Sequence, residues 1–134
     1  MVVADFDNDG LEDMLITATN DKPTLLLNKS KKGNWFAIDL RPANGSATPI
    51  GAKVVAHIGT RTLTRQVIGG GSYAGDSSKR LHFGIGTASK VDALDITWPS
   101  GKTEAISDVT INKVNAIKDR RKGDKAVMGQ CMPI

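Results

Sequence analysis

The segment WFAIDL, residues 35–40, has a large apolar side chain at every second position: Phe36, Ile38 and Leu40. Successive side chains of a β-strand point to opposite faces of its sheet, so this period of two predicts a strand with one buried face. The same alternation recurs over residues 54–58 and 94–98. Three such segments in one short chain predict a β protein.

Turn-forming residues separate the alternating segments at intervals of roughly 10–20 residues, a spacing typical of antiparallel sandwiches and barrels. They cluster at residues 42–49, 59–60, 69–75, 84–89 and 99–101. The chain has 14 glycines, and no segment sustains the 3.6-residue period of a helix. The predicted fold class is therefore all-β, an antiparallel β-sandwich or barrel-like domain. One short helical turn is expected over residues 109–113, because Ser107 and Asp108 offer N-cap side chains.

A chain of 134 residues, 40% of them hydrophobic, is large enough for a domain with a packed core. No apolar run approaches the roughly 20 residues that span a bilayer. The first residues lack the basic and apolar regions of a signal peptide, so we expect neither a signal peptide in this chain nor membrane association. The single cysteine, Cys131, excludes an intramolecular disulfide and a cysteine-built zinc site.

The net charge of +4 is distributed unevenly along the chain. Residues 1–30 carry a balance of −4, and the remaining residues carry a balance of +8. An acidic N-terminal unit joined to a basic body indicates two units of different origin. The basic residues are scattered rather than interleaved with aromatic ones, so nucleic-acid binding is not expected.

The acidic unit contains the most specific motif of the chain, DFDNDGLED at residues 5–13, called here the acidic loop. Carboxylates at alternate positions followed by Gly10 allow the backbone to wrap around one point, as in the first half of a calcium loop. The predicted Ca²⁺ ligands are four carboxylates and one main-chain carbonyl: Asp5, Asp7, Asp9, Asp13 and Leu11. A solvated acidic turn without a metal is the alternative.

The acidic loop differs from the helix–loop–helix calcium motif in its surroundings. That motif needs a bidentate Glu at its twelfth position, which is Ile16 here. The residues after the loop also have strand character, since the apolar segments 14–19 and 24–27 surround a turn signal, NDKP. We therefore predict an N-terminal β-hairpin that carries the calcium loop.

Residues 2–28 resemble a calcium-binding FG-GAP/VCBS repeat, whose copies form the blades of β-propellers. The resemblance implies the same five calcium ligands in the acidic loop. A propeller needs about four to eight blades, and this chain holds less than one. We therefore expect the C-terminal end of a larger propeller protein.

The body of the chain, residues 34–118, resembles the ASPIC/UnbV domain. Five segments occur in the order of that domain: NWF (34–36), IGAKV (50–54), GGGSY (69–73), RLHFGIG (80–86) and WPSGK (98–102). This domain typically follows FG-GAP repeats in secreted bacterial proteins and in an acidic cartilage protein. The resemblance implies an extracellular or periplasmic all-β accessory domain, and it supplies no established catalytic activity.

Four parts make up the predicted organisation. They are a partial FG-GAP/VCBS repeat with the calcium loop (1–30), a linker (31–34), an ASPIC/UnbV-like β domain (35–118) and a disordered tail (119–134).

The β domain offers no residues that we predict to be catalytic or cofactor-binding. His57 and His82 lie in strand-like segments without a second metal ligand at useful spacing. The glycines at 69–71 predict a tight turn, with an anion-binding cradle as the alternative. Trp98 is predicted to lie in the core, whereas a solvent-facing Trp98 or Tyr73 would favour a sugar-stacking platform.

The leading functional hypothesis is a non-enzymatic calcium-binding β module for extracellular adhesion, interaction or assembly, whose protein or glycan partner is not specified. A carbohydrate-binding module and an accessory domain of an exported enzyme are the alternatives. An isolated hairpin is marginal in water, and its leucines would stay partly exposed. We expect the hairpin either to dock on the β domain or to pair with a second molecule as a homodimer, with the homodimer favoured.

Overall fold

The computed structural model describes residues 1–43, 45, 48–72 and 75–120, and all regular structure within them is β-strand. The prediction of an all-β fold is therefore confirmed. None of these residues forms a helix long and apolar enough to cross a membrane. The strands are β1 (Val2–Ala4), β2 (Asp13–Ile16), β3 (Thr24–Leu26), β4 (Asn34–Arg41), β5 (Lys53–Ile58), β6 (Arg61–Gln66), β7 (Gly71–Ser72), β8 (Gly75–Asp76), β9 (Leu81–Gly86), β10 (Ala93–Thr97), β11 (Thr103–Ile106) and β12 (Val114–Lys118). Most of the predicted disordered tail, from residue 121 onward, lies outside the described residues.

Two sheets enclose the core of the β domain, and β7 and β8 form a separate two-stranded sheet. One has four antiparallel strands in the order β11-β10-β5-β6, and the other has three in the order β12-β4-β9. Apolar side chains from both sheets form one buried cluster, in which the rings of Phe36 and Phe83 stack with centroids 4.8 Å apart. Two sheets that enclose one apolar layer constitute a β-sandwich, which is one of the two architectures that the sequence predicted.

The period of two in the sequence is visible in the burial of the strands. Along β5, Val54, Ala56 and Ile58 are buried, while the residues between them are more exposed. Trp98 follows β10 and is 2% exposed, so its predicted place in the core is confirmed. Its indole N–H donates to Glu104 Oε2 over 3.1 Å, which satisfies the one polar group that burial would otherwise leave unpaired.

Two local features differ from the predictions. Strand β12 runs parallel to β4, whereas the other strand pairs of this sandwich are antiparallel. The helical turn predicted over residues 109–113 is absent, and a non-helical turn leads into β12 instead. Asn112 in that turn has a positive φ of 56°, and its side-chain oxygen accepts the N–H of Trp35 over 3.1 Å. This hydrogen bond joins the turn to the neighbouring strand β4.

The N-terminal unit is a three-stranded antiparallel sheet in the order β1-β2-β3. The predicted hairpin corresponds to β2 and β3, and the additional strand β1 precedes the acidic loop and pairs Val2 with Leu15. At three residues, β1 is too short to show a period of its own. Its outer side contacts the β domain, since Val3 accepts the N–H of Ser78 over 3.0 Å and donates to Ser77 Oγ over 3.2 Å.

Candidate metal centre

The acidic loop connects β1 to β2, so the antiparallel pairing of these strands brings its two ends together. Asp5 directly follows β1, and Asp13 is the first residue of β2. Between them Asn8 and Gly10 adopt positive φ values of 56° and 89°. Glycine adopts such angles without steric cost, and asparagine tolerates them better than most residues. The left-handed residues allow the backbone to wrap, as the spacing of the motif predicted.

Three of the predicted ligands converge in this loop. Asp5, Asp7 and Asp13 each place a carboxylate oxygen within 4.8 Å of the other two. Asp5 and Asp13 are buried, with 8% and 2% of their surface exposed, and Asp7 is exposed. Carboxylate oxygens are the donors that Ca²⁺ prefers, so the chemistry of this donor set fits a hard divalent cation.

Main-chain N–H groups hold the two buried carboxylates in place. Asp5 accepts the N–H groups of Asp9 and Gly10 over 3.0 and 2.9 Å. Asp13 accepts those of Asn28 and Phe6 over 2.8 and 2.9 Å. These donors lower the pKa of Asp13, with Asn28 as the largest cause, so its carboxylate stays ionised at neutral pH.

Asp9 and Leu11 have other contacts in the structure. The Asp9 carboxylate lies 2.9 Å from the ammonium group of Lys32 and accepts the Leu11 N–H over 2.9 Å. The bond to Lys32 is the main reason that the pKa of Asp9 is lowered. The structure therefore brings together Asp5, Asp7 and Asp13, and the full set of five ligands stays a prediction.

Two lysines offset part of the negative charge of the loop, and the sequence analysis did not single them out. Lys29 lies 3.3 Å from Asp7, and Lys32 belongs to the segment predicted as a linker. Both side chains are more than half exposed, so these ion pairs are weak and a divalent cation can compete with them. The sequence contained one indication of these ion pairs, because the basic segment at residues 29–32 follows the acidic loop closely in the chain.

The acidic loop lies on the outer face of the β12-β4-β9 sheet. In the register of β4 and β9, Ala37 faces His82 while Phe36 faces Phe83, so residues on either side of Phe36 point away from the core. Trp35 and His82 stack on this outer face with ring centroids 5.8 Å apart and an interplanar angle of 20°. Here "outer face" means Trp35, Ala37 and His82.

The remaining candidate residues form no second site of this kind. Within the described ranges, no other group of three His, Cys, Asp or Glu side chains offers ligand atoms as close together. His57 Nε2 lies 2.8 Å from Asp95 Oδ2. Both His82 ring nitrogens are buried without a hydrogen-bond partner among the described residues, and burial lowers the pKa of His82. The Gly70 N–H donates to Asp76 Oδ1 over 3.1 Å, so a side chain of the chain itself already occupies that donor of the glycine turn.

Comparison with known proteins gives the family of the β domain. The family model for ASPIC and UnbV matches residues 43–124. The chain belongs to the ASPIC and UnbV family. This match confirms the resemblance of the body to the ASPIC/UnbV domain, while the resemblance of residues 2–28 to an FG-GAP/VCBS repeat stays a prediction.

Relatives of this ASPIC/UnbV chain include three proteins named cartilage acidic protein 1. The Xenopus tropicalis protein is 34% identical over 119 residues, which cover 84% of this chain and 18% of the relative. The Mus musculus protein is 30% identical over 131 residues, which cover 92% of this chain and 20% of the relative. The Homo sapiens protein is 32% identical over 106 residues, which cover 75% of this chain and 16% of the relative. The chain thus spans at most about one fifth of the length of these relatives.

Proposed function

We propose that this chain is a non-enzymatic calcium-binding β module that serves extracellular adhesion, interaction or assembly. The observation that carries the proposal is the convergence of Asp5, Asp7 and Asp13, whose carboxylate oxygens lie within 4.8 Å of one another. Two of these carboxylates are buried, and burying like charges together is costly without a compensating cation. A bound Ca²⁺ would supply that compensation.

The metal in this proposal has a structural role. Asp5 and Asp13 belong to opposite ends of the acidic loop, and Asp7 lies between them on the solvent side. When bound, Ca²⁺ would neutralise the three carboxylates and link the end of β1 to the start of β2. The main-chain donors on Asp5 and Asp13 already orient the buried oxygens, so less rearrangement is needed on binding.

We further propose that residues 1–30 are a partial FG-GAP/VCBS repeat. The order of strand, acidic loop, strand and strand in β1, β2 and β3 supports this assignment, as does the DFDNDGLED motif itself. Family membership and relatives named after cartilage, an extracellular tissue, support a site of action outside the cytoplasm.

The carbohydrate-binding alternative required a solvent-facing Trp98 or Tyr73, and Trp98 does not meet this requirement. Trp98 is 2% exposed, with its N–H engaged by Glu104, so it cannot present a ring to a sugar. Tyr73, the other aromatic residue considered for such a platform, lies outside the described residues. A glycan therefore remains only one of the partners that this module could recognise.

Isothermal titration calorimetry with Ca²⁺ and Mg²⁺ tests the metal site. We expect Ca²⁺ to bind with a dissociation constant on the order of 10⁻⁴–10⁻³ M, as in extracellular modules, because the bidentate twelfth ligand is missing. Mg²⁺ should bind more weakly, since its small octahedral shell accepts fewer carboxylates. Asp7→Ala and Asp13→Asn should each remove the Ca²⁺ heat.

Asp21→Asn is the matched control, because it removes one exposed carboxylate of the same acidic unit outside the loop. It should leave the Ca²⁺ titration unchanged. The absence of a heat at millimolar Ca²⁺, or the same heat in the wild type and both loop variants, would contradict the metal site.

A further inference from the structure

The tightest turn of the acidic loop is pressed against a side chain of the β domain. Gly10, with φ +89°, lies so close to Trp35 that a Cβ atom placed on it would be 2.1 Å from Cε2 and Nε1 of the indole. Non-bonded heavy atoms do not approach to that distance, so any larger residue would displace either the loop or the indole. Both the positive φ at position 10 and the close contact with Trp35 therefore require a glycine there.

Gly10 is also directly tied to the proposed metal ligands. Its N–H donates to Asp5 Oδ2 over 2.9 Å, and the preceding N–H, from Asp9, donates to Asp5 Oδ1 over 3.0 Å. The position of Gly10 therefore sets the position of one buried carboxylate. A displacement of Gly10 away from Trp35 would move these donors and leave Asp5 less well oriented.

Further contacts hold the acidic loop on the same surface. Arg80, next to β9, donates from Nη1 to Asn8 Oδ1 over 3.1 Å. Lys32, three residues before Trp35, lies 2.9 Å from Asp9. The Trp35 ring is supported from within its own sheet by the stack with His82. The β domain thus contacts the loop at residues 8 and 10, and the segment that precedes this domain contacts it at residue 9, between the proposed ligands Asp7 and Asp13.

We propose that Trp35 is a positioning residue for the metal loop, so that the ASPIC/UnbV domain and the N-terminal sheet form one ion-binding unit. This inference rests on the proposed function, since it concerns the same metal site. The indole keeps Gly10, and through it Asp5, in the ligand-forming arrangement. Two consequences follow: Ca²⁺ affinity depends on a residue that is not a ligand, and Ca²⁺ binding stabilises the whole chain.

The test compares Ca²⁺ affinities of the full chain by calorimetry in a double-mutant cycle of Gly10→Ala and Trp35→Ala. Each single substitution should weaken Ca²⁺ binding by about 10- to 100-fold, the range for groups that orient metal ligands. The double variant should lose less than the two single losses combined, because removing the indole relieves the clash that the added methyl group creates. Gly101→Ala is the control, since Gly101 has φ +83° with open space around its Cβ position. It should leave Ca²⁺ affinity unchanged.

A spectroscopic measurement reports the contact independently of affinity. Tb³⁺, a luminescent substitute for Ca²⁺, emits when a nearby indole is excited. In the full chain, Tb³⁺ emission that Ca²⁺ can displace should persist in Trp98→Phe and disappear in Trp35→Phe. Trp35→Phe also replaces Trp35→Ala in the affinity measurements if Trp35→Ala does not fold. Trp35→Phe should keep part of the Ca²⁺ affinity, because a smaller ring still contacts the loop.

The possible failures are distinguishable. If the wild-type chain binds neither Ca²⁺ nor Tb³⁺, the metal site is wrong and this inference falls with it. If the wild type binds Ca²⁺ and the Trp35 variants bind it equally well, only the inference is overturned. Fully additive losses in the cycle would also overturn it, because they would show that Gly10 and Trp35 act separately.

Discussion

At the scale of single residues, the core depends on side chains that the sequence spaces two apart. Phe36 is fully buried and stacks on Phe83, whereas Ile68 is 61% exposed although it is also apolar. Phe36→Ala should lower the free energy of unfolding by about 3–5 kcal/mol, because it removes a buried ring and leaves a cavity. Ile68→Ala should change the same quantity by less than about 0.5 kcal/mol. Urea denaturation of both variants checks this contrast, and equal losses would contradict it.

A second residue-scale prediction concerns Asp92, which directly precedes β10 and accepts a hydrogen bond from the turn between β5 and β6. Asp92 accepts the Gly59 N–H over 2.6 Å and lies 3.1 Å from Lys90. The Gly59 N–H is the largest cause of its lowered pKa, with Lys90 next. A carboxyl group whose pKa is lower in the folded than in the unfolded chain stabilises the fold above its unfolded pKa. That stability is lost as the pH falls through the folded pKa.

Asp92→Asn should therefore lower stability at pH 7 and flatten the decline in stability on the acid side, below about pH 4. Urea denaturation across pH 2–7 measures both effects. The control is Asp108→Asn, which changes an exposed carboxylate of the β domain that accepts no hydrogen bond from another described residue. An unchanged acid limb in Asp92→Asn would show that the bond to Gly59 contributes nothing.

At the scale of elements, β12 is the strand whose partner could not be read from the sequence. It pairs in parallel with β4 from Val114 to Lys118, and Ile117 packs against the core. A chain ending at residue 113 should therefore be clearly less stable than one ending at residue 120, because β4 would lose one of its two neighbours. Thermal melting of the two truncated chains makes the comparison. Coincident melts would mean that β12 contributes little to the sandwich.

The core of the β domain comes entirely from residues beyond the N-terminal sheet. Its buried residues run from Phe36 to Trp98, and the partly buried residues packed on them extend to Ile117. A fragment of residues 32–120 should consequently fold, with a β-type circular dichroism spectrum and a cooperative melt. It should melt somewhat below the full chain, since the outer face loses its cover. A non-cooperative melt would show that the N-terminal sheet is part of the folding unit.

At the scale of the whole molecule, the N-terminal sheet has one covered and one open side. Ser77 and Ser78 contact β1, whereas among the described residues no strand pairs with the outer edge of β3. Leu25, Leu26 and Leu27 on and after β3 are 43–49% exposed. Open edges with apolar side chains recruit further strands. We propose that β3 pairs with β3 of a second molecule, which gives a two-fold dimer.

Sedimentation equilibrium at tens of micromolar protein tests this dimer. The wild type should show the mass of two chains, and Leu26→Lys should show the mass of one, because a charged side chain at the edge opposes pairing. Thr17→Lys, which adds the same charge at an exposed position outside the strands, should remain dimeric. A monomeric wild type would exclude the dimer and leave only the contacts of this sheet with its own β domain.

Local pattern alone determined much of this protein. The period of two located the main core strands, the glycine and proline clusters located their turns, and Trp98 was assigned to the core. The spacing of the acidic motif identified three carboxylates that converge. These features are predictable because strand periodicity and loop wrapping depend on residues close together in the chain.

Tertiary structure alone decided which distant segments meet. It paired β12 with β4 in parallel, added β1 to the N-terminal sheet and brought Lys32 back to Asp9. It also brought Trp35, the first residue of the alternating segment 35–40, against Gly10 of the acidic loop. Such contacts depend on how whole sheets pack. The residues next to a side chain in the sequence do not indicate which distant segment packs against it.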